Sequence, residues 1–334
     1  MELGERSYVI TVGKGLLASA DKYFDLQRKI LVLTDDGVPK EYAKAIADKA
    51  KESKIITVPM GERSKSLETF GLVLCEMMNF EMGRSDALVA VGGGVVGDLG
   101  GFCASAYMRG IDFYNVPTTL LSQVDSSIGG KTAVNLGEIK NVVGAFHQPK
   151  GVLIDTDTLK TLPKRQISGG LAEAIKMAAT SDAELFGKIE KEGFTEDNAE
   201  QIITAALKIK KAVVEEDERE SGLRRILNFG HTLGHGIEAC EELLGLYHGE
   251  CVALGMIPMA SGEARERILA VCKKVGLPMD YSYDLDRALS FVCHDKKCQS
   301  GTVGAIFVDE IGSFRIEKLS VSDFEKTVRA ALGK

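Results

Sequence analysis

Short runs of consecutive apolar residues alternate, through the first half of the chain, with stretches whose apolar positions recur every three or four residues. Lys29–Asp35 is apolar at four successive positions, Ile30, Leu31, Val32 and Leu33. A run this short and this uniform predicts a strand buried on both faces. Residues 54–58 and 87–91 predict two more strands, the last ending at Gly92. Helical spacing fills the gaps, over residues 41–53 and 66–78. Strand, helix, strand, helix in that order predicts a parallel sheet covered by helices. Past Leu162-Pro163 the pattern changes. Helical periodicity then dominates, over residues 170–179, 196–216, 231–244 and 249–268. Strand-like residues return at 304–308, in position to form a hairpin with 313–316. The expectation is an α/β domain over residues 1–164 and a mainly helical domain over residues 165–334.

Composition narrows this picture. A chain of 334 residues is long for one hydrophobic core, which favours two domains. The balance of 45% hydrophobic and 27% charged residues is that of a soluble globular protein. The net charge of −7, with no run of Lys and Arg, argues against a nucleic-acid partner. An anionic substrate would therefore need positive charge concentrated in a cleft. No apolar run reaches about 18 residues, so no membrane span is expected. The polar start Met1-Glu2-Leu3-Gly4-Glu5-Arg6 is not expected to act as a signal peptide. Seven scattered cysteines with no CxxC pair fit reduced thiols and a cytoplasmic protein.

Four segments carry candidate chemistry. Val91-Gly92-Gly93-Gly94-Val95-Val96-Gly97-Asp98 joins a predicted strand to a predicted helix and contains GxGxxG. Glycines there allow a tight turn and let backbone N–H groups approach a pyrophosphate, which points to a Rossmann-like nucleotide-binding domain. A ligand-free glycine-rich turn is the alternative. Asp35 closes an upstream strand and could accept hydrogen bonds from a ribose, or simply cap a turn. Three of the chain's five histidines fall in one stretch, as His231, His235 and His248. His231 and His235 share a helix face at i, i+4, and imidazole is a common zinc ligand. Two surface or core histidines near a third by chance would give the same spacing. Glu173 and Lys176 also share a face. They are either an ordinary salt bridge or a carboxylate ligand beside a phosphate-binding lysine. With His231 and His248, Glu173 would give two nitrogens and one oxygen, leaving a coordination position open for water or substrate, as catalytic zinc sites do. Finally, residues 122–132 form a polar loop with Asp125, Lys131 and two glycines, suited to cradling an anion, and Thr118 and Thr119 place hydroxyls at a strand end.

Taken together, residues 92–98, 107–110, 117–135, 140–149, 170–176 and 228–248 resemble the 3-dehydroquinate synthase family, in family order and across most of the chain. The resemblance implies a zinc-dependent (or cobalt-dependent), NAD-using cyclase. It would convert the sugar phosphate 3-deoxy-D-arabino-heptulosonate 7-phosphate to 3-dehydroquinate and phosphate, a step of the shikimate pathway. It also implies a homodimer. By motif, the metal ligands would be Glu173, His231 and His248, and His235 would contact substrate. NAD contacts would fall on Asp35, Glu62, Lys65, Gly93, Gly94, Val95, Asp98, Thr118, Thr119, Lys140 and Thr161. Substrate contacts would be Asp125, Lys131, Asn141, Lys176, Lys210, Arg224, Asn228 and His235, with Lys296 or Lys297. Arg109 would reach the substrate phosphate from the neighbouring subunit. Two departures stand out: the chain is somewhat short for the family, and Gly37 stands where members often carry a side chain that helps bind NAD. The rival readings are another sugar-phosphate cyclase, such as 2-deoxy-scyllo-inosose synthase, a metal-dependent polyol dehydrogenase, and a non-catalytic metal- or nucleotide-binding protein.

Overall fold

The computed structural model describes residues 1–137, 139–220, 222–241, 245–294 and 301–333. They form two compact units, Met1–Leu162 and Pro163–Lys334.

Unit 1 runs β1 (Val9–Gly13), β2 (Lys29–Asp35), α1 (Lys40–Ala47), β3 (Glu52–Val58), α2 (Leu67–Asn79), β4 (Ala87–Gly92), α3 (Gly94–Ala106), β5 (Asp112–Pro117), β6 (Lys131–Leu136), β7 (Ile139–Phe146) and β8 (Gly151–Asp155). Six strands make a parallel sheet in the order β1-β8-β5-β4-β2-β3. Alternate residues of the central strands point to opposite faces, as pleating requires. Leu31, Leu33, Leu88 and Ala90 pack with Val73 and Met77 of α2 and Val96 and Leu99 of α3. Ile30, Val32, Val89 and Val91 pack on the other side with Ala43 and Ile46 of α1. Both faces are buried, which is why these strands read as unbroken apolar runs. The chain moves outward from β2 to β3, then returns past β2 to β4. The sheet thus reverses direction between β2 and β4, and ligands of such sheets bind in the crevice at the carboxyl ends of the strands there.

The predicted helix over 41–53 is shorter, ending at Ala47, because Glu52 and Ser53 belong to β3. Glu52 is in register with Lys29 of β2, and Lys51 donates its N–H to the Leu26 carbonyl at 3.0 Å. Strand pairing outweighs the local helix preference. The polar loop also ends in structure, since β6 and β7 form an antiparallel hairpin. Gly101 of α3 lies against it, where a Cβ would stand 2.4 Å from Thr132 Cγ2.

Unit 2 runs α4 (Lys164–Ser181), α5 (Ala183–Glu192), α6 (Ala199–Glu216), α7 (His231–Glu241), α8 (His248–Met256), α9 (Gly262–Lys274), α10 (Leu285–His294), β9 (Thr302–Phe307), β10 (Arg315–Ser320) and α11 (Val321–Leu332). β9 and β10 pair antiparallel, the late hairpin. The single helix expected over 249–268 is two helices. A short 3₁₀ turn, Ile257–Met259, separates α8 from α9. Pro258 cannot donate to an α-helical ladder. The freed backbone bonds to the end of the hairpin instead: Val308 N–H to the Met259 carbonyl at 3.1 Å, and Ser261 N–H to the Val308 carbonyl at 3.1 Å. No described helix is long and apolar enough to cross a membrane.

Glycines set how closely the helices of unit 2 approach. A Cβ on Gly249 of α8 would lie 2.0 Å from the Gly169 carbonyl oxygen of α4. A Cβ on Gly255 of α8 would lie 2.1 Å from the Gly230 carbonyl oxygen at the start of α7. Only residues without a Cβ permit these contacts.

Candidate dinucleotide and metal sites

In unit 1, β4 ends at Gly92 and α3 begins at Gly94, with Gly93 as the N-cap. The sharp turn works because Gly92 has no Cβ, which would stand 2.7 Å from Val96. Helix starts leave N–H groups outside the intrahelical ladder, so Gly94 and Val95 present donors at the positive end of the α3 dipole. A helix start of this kind can hold an anion. Thr118 and Thr119 border it: the Thr118 N–H bonds to the Gly92 carbonyl at 2.9 Å, and a Cβ on Gly93 would meet Thr119 at 3.0 Å. On the adjoining strand, Asp35 closes β2. Its Oδ1 accepts the Gly37 N–H at 2.9 Å. Burial pushes this carboxyl above the usual carboxylate range, against the pull of that N–H. Gly37 itself sits against Met60, whose sulfur would lie 2.4 Å from a Cβ at that position.

Beside the turn, Lys65 is buried, and its ammonium lies 2.5 Å from Asp98 Oδ2 of α3 and also donates to Asn141 Oδ1. Asn141 has a left-handed backbone, with φ of 55°. It is held there by Asn135, whose Oδ1 accepts the Asn141 N–H at 2.9 Å and whose Nδ2 donates to Glu62 Oε1 at 2.8 Å. A shallow cavity of about 360 Å3 opens here, lined by Glu62, Lys65 and Asn135 among others. Lys140 is half-buried on β7 and Lys131 exposed on β6. Thr161 bonds to Tyr42 Oη at 3.1 Å. Asp125 lies half-buried in the π-helical turn Ser122–Ser126. Arg109 is exposed on a turn where Met108, Arg109 and Gly110 all have positive φ, of 52°, 69° and 117°.

In unit 2, three helices bring their polar groups to one point. Glu173 and Lys176 of α4 are 1% and 2% exposed and form a buried ion pair. His231 and His248 are the first residues of α7 and α8. Each directs Nε2 at Glu173 Oε1, at 3.5 Å in both cases. Their other nitrogens are tied back: His231 Nδ1 to the Phe229 carbonyl at 3.3 Å, His248 Nδ1 to Glu238 Oε2 at 2.9 Å. Glu173 Oε2 is taken up by the Lys176 ammonium, while Oε1 faces only the two imidazoles. Burial alone would raise the Glu173 pKa, but the Lys176 ammonium and His248 outweigh it and hold the carboxyl below its usual range. His248 is pushed up, because Glu173 and Glu238 together outweigh its burial.

The donor set fits a tetrahedral zinc-like ion. Bonds of about 2.1 Å to such an ion put neighbouring donors about 3.4 Å apart, close to the two 3.5 Å separations from Glu173 Oε1. A buried carboxylate whose Oε1 faces two imidazole nitrogens is what a cation would complete. His235 also lies near; donor atoms of His231, His235 and His248 all fall within 4.8 Å of one another. Glu173 is the stronger third candidate because its negative charge is buried and His235 brings none.

The remaining predicted residues of unit 2 occupy neighbouring elements. Lys210 is buried on α6 and Arg224 is buried in the turn before α7. Arg224 donates through Nη1 to the Glu218 carbonyl at 2.5 Å, and Asn228 donates to Glu220 Oε1 at 3.0 Å. Lys296 and Lys297 lie outside the described residues. Two groups escaped the sequence reading: Asn135 and Glu238. Glu238 left a usable signal, since it follows His231 by seven residues and His235 by three, on the same face of α7.

Comparison with known proteins bears on all of this. A family model described as 3-dehydroquinate synthase N-terminal matches residues 55–169, and one described as 3-dehydroquinate synthase C-terminal matches residues 170–298. A 3-dehydroquinate synthase of Enterococcus faecalis is 42% identical, over 99% of this chain and 97% of that relative. Among solved structures, a 2-deoxy-scyllo-inosose synthase with carbaglucose-6-phosphate, NAD+ and Co2+ superposes with a TM-score of 0.87 at 28% identity, covering 96% of each chain. A 2-epi-5-epi-valiolone synthase from Streptomyces hygroscopicus with NAD+ and Zn2+ gives 0.88 at 28%, covering 99% of this chain and 97% of that one.

Proposed function

The chain belongs to the 3-dehydroquinate synthase family, and on that premise we propose how its own residues serve the conversion of 3-deoxy-D-arabino-heptulosonate 7-phosphate to 3-dehydroquinate and phosphate. The reaction is redox-neutral overall. A substrate hydroxyl is oxidised, phosphate leaves by elimination, the hydride returns, and an aldol closure forms the ring.

The observation that carries the proposal is the meeting of Glu173, His231 and His248 beside a buried lysine. These three would hold a zinc or cobalt ion, which when bound supplies a Lewis acid that eases proton loss from a substrate hydroxyl. Bound NAD supplies a hydride acceptor that is regenerated within each turnover. Unit 1 provides for it at the reversal of its sheet. The start of α3, through Gly93, Gly94 and Val95, takes the pyrophosphate, and Asp35 takes a ribose. Glu62, Lys65, Asp98, Thr118, Thr119, Lys140 and Thr161 complete its contacts. Lys65 is already neutralised by Asp98, so this pair shapes the site more than it adds charge.

The substrate is an anion at both ends, and the chain as a whole is acidic. Binding therefore needs local cations. Lys176, Lys210 and Arg224 of unit 2 are all buried, where charge acts most strongly. Asn228 and His235 add further polar contacts. In unit 1 we assign Asp125, Lys131 and Asn141 to substrate. Lys296 and Arg109 keep the same assignment, Arg109 toward a second copy of the chain in a homodimer.

The test is to follow phosphate and 3-dehydroquinate in parallel, with zinc and a catalytic amount of NAD. Equal amounts of both with no accumulation of NADH are expected. Net NADH without phosphate would indicate a polyol dehydrogenase. Phosphate release only from a different sugar phosphate would indicate another cyclase.

A further inference from the structure

His231 and His248 present the same nitrogen to Glu173, yet they are held differently. The Nδ1 of His231 faces a neutral carbonyl of its own chain turn, Phe229, at 3.3 Å. The Nδ1 of His248 faces a carboxylate on a different helix, Glu238 Oε2, at 2.9 Å. The second contact is shorter and charge-assisted. A carboxylate only accepts, so this pairing keeps a proton on Nδ1 and makes Nε2, the nitrogen facing Glu173, the one that gives up its proton to take a metal.

His248 needs such a restraint more than His231 does. It is the first residue of α8 and its side chain is 32% exposed, against 12% for His231. An imidazole with one free edge turns readily about its outer torsion, which has a broad two-fold profile. Glu238 is well placed to stop it. It sits two turns along α7 from His231, and α7 is locked to α8 where Gly230 and Gly255 touch. The first turn of α8 is fixed separately, because Glu250 takes a bidentate bond from Arg165 of α4, at 2.7 Å to each oxygen. The backbone under His248 is therefore held by α4, and its ring by α7.

We infer that Glu238 is a positioning residue for the metal: it fixes the tautomer and ring orientation of His248 and strengthens that nitrogen as a ligand, an inference that rests on the metal reading above. Groups of this kind typically change metal affinity by ~10–100-fold when removed.

The experiment uses the full chain stripped by a chelator and titrated with Zn2+ alone in competition with a chromophoric chelator. A parallel titration follows the visible absorption of Co2+. His248→Ala is expected to abolish tight binding. Glu238→Ala is expected to weaken Zn2+ binding by ~10–100-fold and to alter the Co2+ spectrum, which a purely structural role would leave unchanged. Glu238→Gln keeps an acceptor oxygen without the charge and is expected to fall between Glu238→Ala and the wild type. It decides the matter if the alanine variant does not fold. Wild-type affinity and spectrum in the Glu238 variants, with binding lost in His248→Ala, would overturn the role of Glu238 while leaving the metal centre intact. Wild-type binding in His248→Ala as well would overturn the metal centre and the inference together.

Discussion

Replacing Lys176 by Met removes one charge from a pair that water does not reach, since Glu173 and Lys176 are 1% and 2% exposed. Methionine keeps most of the apolar stem, so packing changes little and the loss reports on charge. Breaking a buried pair on one side costs up to ~3–5 kcal/mol, because the surviving charge stays buried with only the His248 imidazole, 3.5 Å away, to balance it. For a unit of this size that is a fall in Tm of about 6–20 °C. Solvent screening gives no discount at this depth. Urea or thermal unfolding of the chelator-treated chain is the assay. Two controls make the reasoning specific. Lys176→Met/Glu173→Gln removes both charges and is expected to recover most of the loss. Saturating Zn2+ is expected to narrow the gap between the single variant and the wild type, because the ion supplies the missing positive charge. If Lys176→Met is as stable as the wild type without metal, or if the double variant is no better than the single, Glu173 is not held as a buried anion and the argument fails.

Three further outcomes are expected. Gly249→Ala places a methyl 2.0 Å from the Gly169 carbonyl oxygen; the forced separation of α4 and α8 should cost at least ~1–3 kcal/mol and lower zinc content, and unchanged Tm and zinc would contradict it. Gly94→Val puts a branched side chain beside Ser126, 3.0 Å from the glycine's Cβ position, and across the approach to the start of α3. Calorimetry should show NAD binding weakened at least tenfold with bound metal unchanged, whereas wild-type NAD affinity would move the pyrophosphate elsewhere. His147 is half-buried, bonds to the Ile111 carbonyl at 3.1 Å, and has its pKa lowered by desolvation. Between its folded pKa and its unfolded value near 6.5 the unfolded chain holds more protons, so this contribution is complete above about pH 6.5 and is lost as pH falls through that window. His147→Gln should flatten the stability profile there, and identical slopes in the two proteins would rule the contribution out.

Features confined to one element were legible in the sequence. The apolar runs of Lys29–Asp35 and Ala87–Gly92 marked strands covered on both sides, because a strand exposes alternate residues to each face and only double burial makes all of them apolar. The glycines after β4 marked a tight strand-to-helix turn. The spacing of His231 and His235 put both on one face of α7, the residue types grouped Glu173 with His231 and His248 as candidate ligands, and the family resemblance implied the reaction.

What lay between elements was not legible. A helix period cannot say which of two histidines on one face meets a carboxylate from another helix. That is set by where α4, α7 and α8 cross, and the crossings are set by glycine contacts at Gly169, Gly230, Gly249 and Gly255. The break at Pro258 likewise depended on a partner some fifty residues away, the backbone of Val308, which local helical spacing could not announce. Glu238 gains its meaning only from His248, which a different helix brings to 2.9 Å from it. The sequence by itself determined which elements form and which residue chemistries they carry, because backbone period and side-chain type are local. Only the tertiary structure decided which of those chemistries share a point in space, because that rests on how closely separate backbones can pack.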